Sequence, residues 1–200
     1  MRSTVIKNVV SSGIAIVVLT AVLGFGYPLL MTGIAQVAFS DKADGSLITV
    51  NGKVVGSRLA GQEFKSPRYF HERPSATAPA YNAGATTFAN LGPTNPDLAK
   101  NVSAAARAIL KLERPYNRGL AIGSIPVDAV TTSASGIDPH ITPAYAALQS
   151  RRIAAVRHLS LSTVQRLIGE NTDGRSLAFL GEPGVNVLEL NLALDKETGR

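Results

Sequence analysis

The chain has 200 residues, a net charge of +6 and no cysteine, which excludes a disulfide framework, a thiolate metal site and a cysteine nucleophile. Its 20 Lys and Arg are scattered among 14 Asp and Glu; the densest cationic group, Arg151, Arg152 and Arg157, reads as a solvated helix face rather than a nucleic-acid site.

No charged residue occurs between Asn8 and Ser40. The apolar centre from Gly13 to Met31, broken only by Thr20 and Pro28, matches the roughly 20 residues that cross a 30 Å hydrocarbon core as a helix. Gly24, Gly26 and Pro28 weaken the ladder but are tolerated where neighbouring helices repair it, and Gly13, Ala15 and Ala21 also let a second backbone approach closely. Arg2 and Lys7 precede the segment, whereas Asp41, Lys42 and Asp44 follow it, so the positive-inside rule predicts a cytoplasmic N-terminus. The run is longer than a signal-peptide core, and Ile34 to Phe39 makes a poor cleavage site, so the segment reads as an uncleaved anchor. The expected organisation is residues 1–40 as cytoplasmic N-terminus and transmembrane helix, then residues 41–200 as one extracytoplasmic domain. Without Arg2 and Lys7 that domain carries a net charge of +4.

In the second region, Leu47–Val50 and Lys53–Ser57 flank Asn51-Gly52, the pattern of a hairpin with a type I′ turn. From Ser66 to Pro96 the chain is crowded with Pro, Gly, Ala, Thr and Asn and lacks periodicity, which predicts long irregular structure that is either functional or poorly ordered. Asn95-Pro96 starts a helix with Leu98, Val102, Ala105, Ile109 and Leu112 on one face, ending before Pro115. Thr142-Pro143 starts another, carried by Ala147, Ile153, Ala154 and Val156 towards His158. Ser162 and Gln165 read as a capping box before a short third helix through Ile168. Leu177–Leu180 and Val185–Leu194 read as β-like runs separated by Gly181-Glu182-Pro183-Gly184. The predicted class is α+β: one N-terminal transmembrane helix followed by a single extracytoplasmic α+β domain with long irregular loops.

Catalytic signals are weak. Ser133 to His140 gathers two hydroxyls, a carboxylate and an imidazole, but Thr132-Ser133-Ala134-Ser135-Gly136 is not a G-x-S-x-G elbow. The run therefore reads as a turn leading into the Thr142 cap, with Asp138 accepting backbone N–H bonds. A membrane-anchored hydrolase using Ser135, His140 and Asp138 is the alternative. His71, His140 and His158 lack metal-ligand spacing, Asp41 and Asp44 lack a calcium loop, and no glycine pair, including Gly119 and Gly123, continues into a phosphate-binding G-K-[ST]. What remains is an anchored domain that works by binding other proteins.

An ordered set of motifs spans the chain: Tyr69 to Ala76, Tyr81-Asn82, Asn90-Leu91-Gly92-Pro93-Thr94-Asn95-Pro96, Ile125 to Asp128, Ser135 to Pro143, and Leu180 to Asp195. Together with the N-terminal span it resembles the C subunit of the bacterial Kdp potassium-transporting P-type ATPase, the KdpC family. Ala85-Thr86-Thr87-Phe88-Ala89 departs from a Gly-Gly-Ser-like run, and Ile137 and Thr142 replace a leucine and a serine. The resemblance implies a non-catalytic accessory subunit in the bacterial plasma membrane. Its implied partners are a channel-like potassium-binding subunit, an ATP-hydrolysing P-type subunit and a small single-span subunit, besides the lipid bilayer; nucleic acid is not among them. No cofactor is expected on this chain, since ATP and potassium are handled by the complex. The family role also includes a catalytic chaperone that raises the ATP affinity of the pump subunit. Arg73, Pro74, Ser75, Asn90, Gly92, Pro93, Ser135, Gly136, Asp138, Pro139, His140, Gly181, Glu182, Pro183, Asn186 and Asn191 fall in the matched motifs. The resemblance implies that they serve the fold or subunit interfaces, with Arg73 and the Asp138-Pro139-His140 turn holding the fold rather than touching an ion.

Overall fold

A computed structural model describes residues 2–199. The chain divides into two units, one ending at Leu47 and the other beginning at Ile48. The first is helical: α1 (Arg2–Leu19), a π-helical stretch over Thr20–Gly26, α2 (Tyr27–Ala38) and the single turn α3 (Ser40–Ala43). Pro28 lacks an N–H and its ring crowds the carbonyl four residues back, so a regular ladder cannot run through it. The ladder widens instead, and Tyr27 N–H reaches the carbonyl of Val22, five residues earlier. The helix from Ser3 to Ala38 is 36 residues long and contains an 18-residue stretch with a mean hydropathy of 2.3, long and apolar enough to cross a membrane. Its large side chains are bare, Val17 and Leu29 each 69% exposed, a surface suited to lipid rather than water.

The second unit is α+β, as the patterning predicts. β1 (Leu47–Val50) and β2 (Lys53–Ser57) form the expected hairpin, with Asn51 at φ 51° and Gly52 at φ 76°, the positive angles of the primed turn. α4 (Pro96–Glu113) starts at Asn95, whose side chain accepts the Asp97 N–H. A 3-10 turn over Ile122–Ser124 and the single turn α5 (Val127–Val130) lead to β3 (His140–Ile141) and α6 (Pro143–Arg157), which Thr142 caps through the Tyr145 N–H. Then come α7 (Leu161–Glu170), β4 (Thr172–Asp173), β5 (Gly184–Asn186) and α8 (Val187–Glu197). β5 is the centre of an antiparallel β3-β5-β4 sheet, pairing Ile141 with Val185 on one side and Thr172 with Val185 on the other. Phe70, Ile141, Ile153, Val164, Val185, Leu190 and Leu194 build one core between this sheet and helices α6, α7 and α8.

Three expectations are corrected. Val185–Leu194 is not a strand: after three residues of β5 it becomes α8, because Asn186 accepts the Glu189 N–H as an N-cap and Val187, Leu190, Asn191 and Leu194 recur on one buried helical face. Leu177–Leu180 is a tight exposed turn closed by a Ser176–Leu180 bridge rather than a strand. α7 is capped by Ser160 through the Thr163 N–H, two residues before the predicted Ser162, which lies inside the helix.

Candidate functional site

The irregular stretch after β2 is not uniformly loose. From Pro67 to His71 five successive backbone carbonyls accept hydrogen bonds from side chains of the last helices. Arg152 donates through Nη1 to Tyr69 O at 2.9 Å and to Pro67 O; Arg157 Nε donates to Arg68 O at 2.8 Å. Asn191 Nδ2 donates to Phe70 O at 3.0 Å while its Oδ1 accepts the Phe70 N–H at 2.8 Å. Gln149 repeats that exchange with His71, at 2.9 and 2.8 Å. Each amide side chain thus does for one residue what a neighbouring strand would do, and the buried backbone is satisfied without a sheet. Phe70, fully buried, is driven into the core by this arrangement.

The network closes on charges. Arg152, 0% exposed, donates Nε to Glu113 Oε1 at 2.7 Å and Nη2 to Gln149 Oε1 at 2.8 Å. Burial pushes the Glu113 carboxyl up, and the Arg152 charge opposes it. Arg157 pairs with Asp195 at 2.7 Å and lies 4.7 Å from the centre of the Tyr69 ring, whose hydroxyl donates to Asp195 Oδ2 at 2.9 Å. Arg152 and Arg157 are therefore buried anchors, contrary to the expected solvated face; of the three arginines only Arg151 is exposed. On α6 the predicted Ala147 is likewise exposed, and the inward face is Tyr145, Ala146, Gln149, Arg152 and Ile153. The cue in the sequence was Gln149 and Arg152, one turn apart and in register with Tyr145 and Ile153; polarity hid it.

A second cluster contains several motif residues. Arg73 donates to Asp138 Oδ2 at 3.0 Å and to Thr132 O at 3.2 Å, and Asp138 Oδ1 accepts the His140 N–H at 3.0 Å, the turn contact expected of it. Ser75 Oγ donates to Gly136 O at 2.6 Å and accepts the Thr77 and Tyr81 N–H groups. Gly136 sits at φ 73°, and a Cβ there would meet Thr87 O at 2.8 Å, so both conformation and space require glycine. Pro139 O accepts the Val187 N–H at 3.0 Å, and Gly184 packs close against His140. Beside the cluster Glu72 is 8% exposed with Oε1 accepting the Gln62 N–H at 3.2 Å and Oε2 without a hydrogen-bond partner. Burial raises its pKa to about 8, with the Gln62 hydrogen bond and the nearby Tyr81 hydroxyl opposing and Asp138 adding to the rise, so it is held neutral below that pH.

The remaining motif residues lie elsewhere. Asn186, fully buried, caps α8 and donates to Arg58 O at 2.9 Å. Asn90, at φ 48°, lies with Gly92 and Pro93 in the approach to α4, where Gly92 O accepts the Asn95 N–H at 2.9 Å. Gly181, Glu182 and Pro183 lie on the connection between β4 and β5, and Glu182 pairs with Arg175 at 2.7 Å. Pro74 lines a groove of about 360 Å³ together with Phe88, Leu98, Val102, Val130 and Ala134.

A hydrolytic arrangement is not assembled. Ser135 Oγ accepts the Ile137 N–H at 3.2 Å, while His140 Nε2 lies 3.2 Å from Asp173 Oδ2 and its Nδ1 is 3.9 Å from Asp138. The imidazole is engaged by two carboxylates rather than by a hydroxyl it would have to deprotonate. Among the described residues, no group of three or more His, Asp or Glu is placed to hold a metal ion.

The family model described as KdpC, K+-transporting ATPase, c chain, matches residues 9–196. The potassium-transporting ATPase KdpC subunit of Sorangium cellulosum (strain So ce56) is 54% identical over 183 residues, 91% of this chain and 94% of that protein. The KdpC subunit of Methylococcus capsulatus (strain ATCC 33009 / NCIMB 11132 / Bath) is 51% identical over 181 residues, 90% of this chain and 93% of that protein. That of Koribacter versatilis (strain Ellin345) is 49% identical over 189 residues, 94% of each chain. With the match running from the apolar helix to the end of α8, the chain belongs to the KdpC family.

Proposed function

We propose that this chain is the non-catalytic accessory subunit of an ATP-driven potassium uptake complex, anchored in the bacterial plasma membrane with its second unit outside. The observation that carries the reading is the division of labour in the molecule: a bare apolar helix fit for a bilayer, joined to a unit whose buried polar side chains are spent on its own backbone. Membership of the KdpC family supports a potassium-transporting ATPase complex, whose other members in this reading are a channel-like potassium-binding subunit, a P-type ATPase subunit and a small single-span subunit. The exported unit sits over the outer mouth of the potassium-binding subunit and stabilises the assembly. Since residues 67–72 are committed to the fold, the part of the irregular stretch left for docking is 83–95, where nearly every side chain is exposed. A chaperone effect on ATP affinity is indirect in this topology: ATP binds on the other face, and the unit acts by favouring one conformation of the membrane subunits.

The test is affinity purification of the tagged chain from its native membrane at low potassium, followed by a potassium-stimulated ATPase assay. Recovery of the pump subunit with activity is expected, and replacing residues 84–93 by a Gly-Ser linker should weaken recovery or raise the potassium concentration needed. Isolation of the chain alone overturns the reading. Digestion of the second unit by protease added to the cytoplasmic face of inverted vesicles overturns the topology.

A further inference from the structure

The connection between β4 and β5 is a preformed finger. Ser176 and Leu180 exchange both backbone hydrogen bonds at 2.9 Å, and the Arg175–Glu182 ion pair at 2.7 Å clamps the neck. Between them Leu177 and Ala178 stand at φ 52° and 68°, left-handed conformations that cost energy for residues with a Cβ. That backbone turns three large apolar side chains outward: Leu177, Phe179 and Leu180 are 78%, 68% and 50% exposed. A water-facing tip of this composition is unfavourable unless something apolar covers it.

The fold also says where the finger is rooted. The two-residue turn of the first hairpin brings the end of β2 back beside the start of β1, where the chain enters the second unit. Arg58, the next residue, pairs with Asp173 at 3.0 Å, and Asp173 pairs in register with Gly184 at the base of the finger. From Ala38, the last residue of α2, to Leu47 the chain has nine steps, which even fully extended reach only ~30 Å. The finger is therefore rooted beside the hairpin through which the chain enters this unit, a short tether in chain length after α2. Tethering makes contact with the lipid surface intramolecular, so a few apolar side chains suffice.

We propose that Leu177, Phe179 and Leu180 insert at the boundary between lipid headgroups and acyl chains, with the Arg175–Glu182 pair at headgroup level, as a second contact of this chain with its own membrane. The inference rests on membrane anchoring by the N-terminal helix. The chain contains no tryptophan, so Phe179→Trp supplies a single reporter. The full-length variant is reconstituted alone into phosphatidylcholine–phosphatidylglycerol vesicles, and flotation establishes anchoring independently. Expected are a blue-shifted emission and quenching that grows with the fraction of lipid brominated near the headgroup end of the acyl chain. Adding Leu177→Asp and Leu180→Asp should abolish both, with the circular dichroism and thermal transition unchanged. Floated protein whose tryptophan is not quenched overturns the proposal, as does a photo-crosslinker at residue 179 that labels another protein rather than lipid.

Discussion

Residues 66–82 and 83–95 both lack helical or alternating periodicity in sequence, yet they are opposite kinds of structure. The first is ordered without regular secondary structure because Gln149, Arg152, Arg157 and Asn191 replace the missing ladder partners of Pro67 to His71. The second has few such partners, and its side chains from Ala83 to Asn90 are all exposed. Irregular backbone is thus not evidence of looseness. What matters is whether polar groups on packed helices reach its carbonyls and amides.

The comparison breaks most severely at Arg152. Arg152→Ala leaves Glu113 buried without its partner, costing about 3–5 kcal/mol, and orphans the Pro67 and Tyr69 carbonyls at about 1–3 kcal/mol each. Thermal unfolding of the full chain in detergent should show loss of the cooperative transition, since that sum rivals the whole stability of a domain.

Glu72 gives the next largest effect. Its folded-state pKa of about 8 stands above the ordinary 4.5, so below the lower value both states are protonated and stability is complete. Above it the unfolded chain releases a proton that the folded chain keeps, and stability falls by ~1.4 kcal/mol per pH unit until the folded pKa is passed, roughly 5 kcal/mol in all. Denaturant titrations between these pH values should show that slope, and Glu72→Gln should flatten it.

Smaller still is the loss of one amide bracket. Asn191→Ala and Gln149→Ala each strand a buried N–H and C=O, at about 1–3 kcal/mol for each stranded group, and the two losses should be less than additive because both grip adjacent residues. At the far end, four Gly-Ser residues inserted after Gly84 should change stability by less than about 1 kcal/mol, because lengthening an exposed loop adds little closure entropy. A large loss there would show that the second segment is pinned like the first.

The elements most legible in the sequence were those with local causes. The apolar helix, the Asn51-Gly52 turn, the Asn95 and Thr142 caps and the Asp138 turn each follow from a few adjacent residues. The failures in the core have one physical origin, that buried polar groups look like surface in a chain read linearly. Arg152 and Arg157 read as solvent-facing in sequence, and the β-like reading of Val185 to Leu194 hid a helical face in which Asn191 counts as a core residue. Of the motif residues, Arg73, Ser75, Gly136, Asp138 and His140 do converge, but the Pro67–His71 cradle needed tertiary structure to be seen, since its donors lie some 80 to 120 residues away.

The most direct measurement is amide hydrogen exchange on the full chain, alone in detergent and within the purified complex. The account predicts that the Phe70 and His71 amides are protected to the level of global unfolding in both samples, whereas amides of 83–95 exchange quickly in the isolated chain and become protected only in the complex. Fast exchange at Phe70 and His71, or exchange at 83–95 that is the same in both samples, would contradict it.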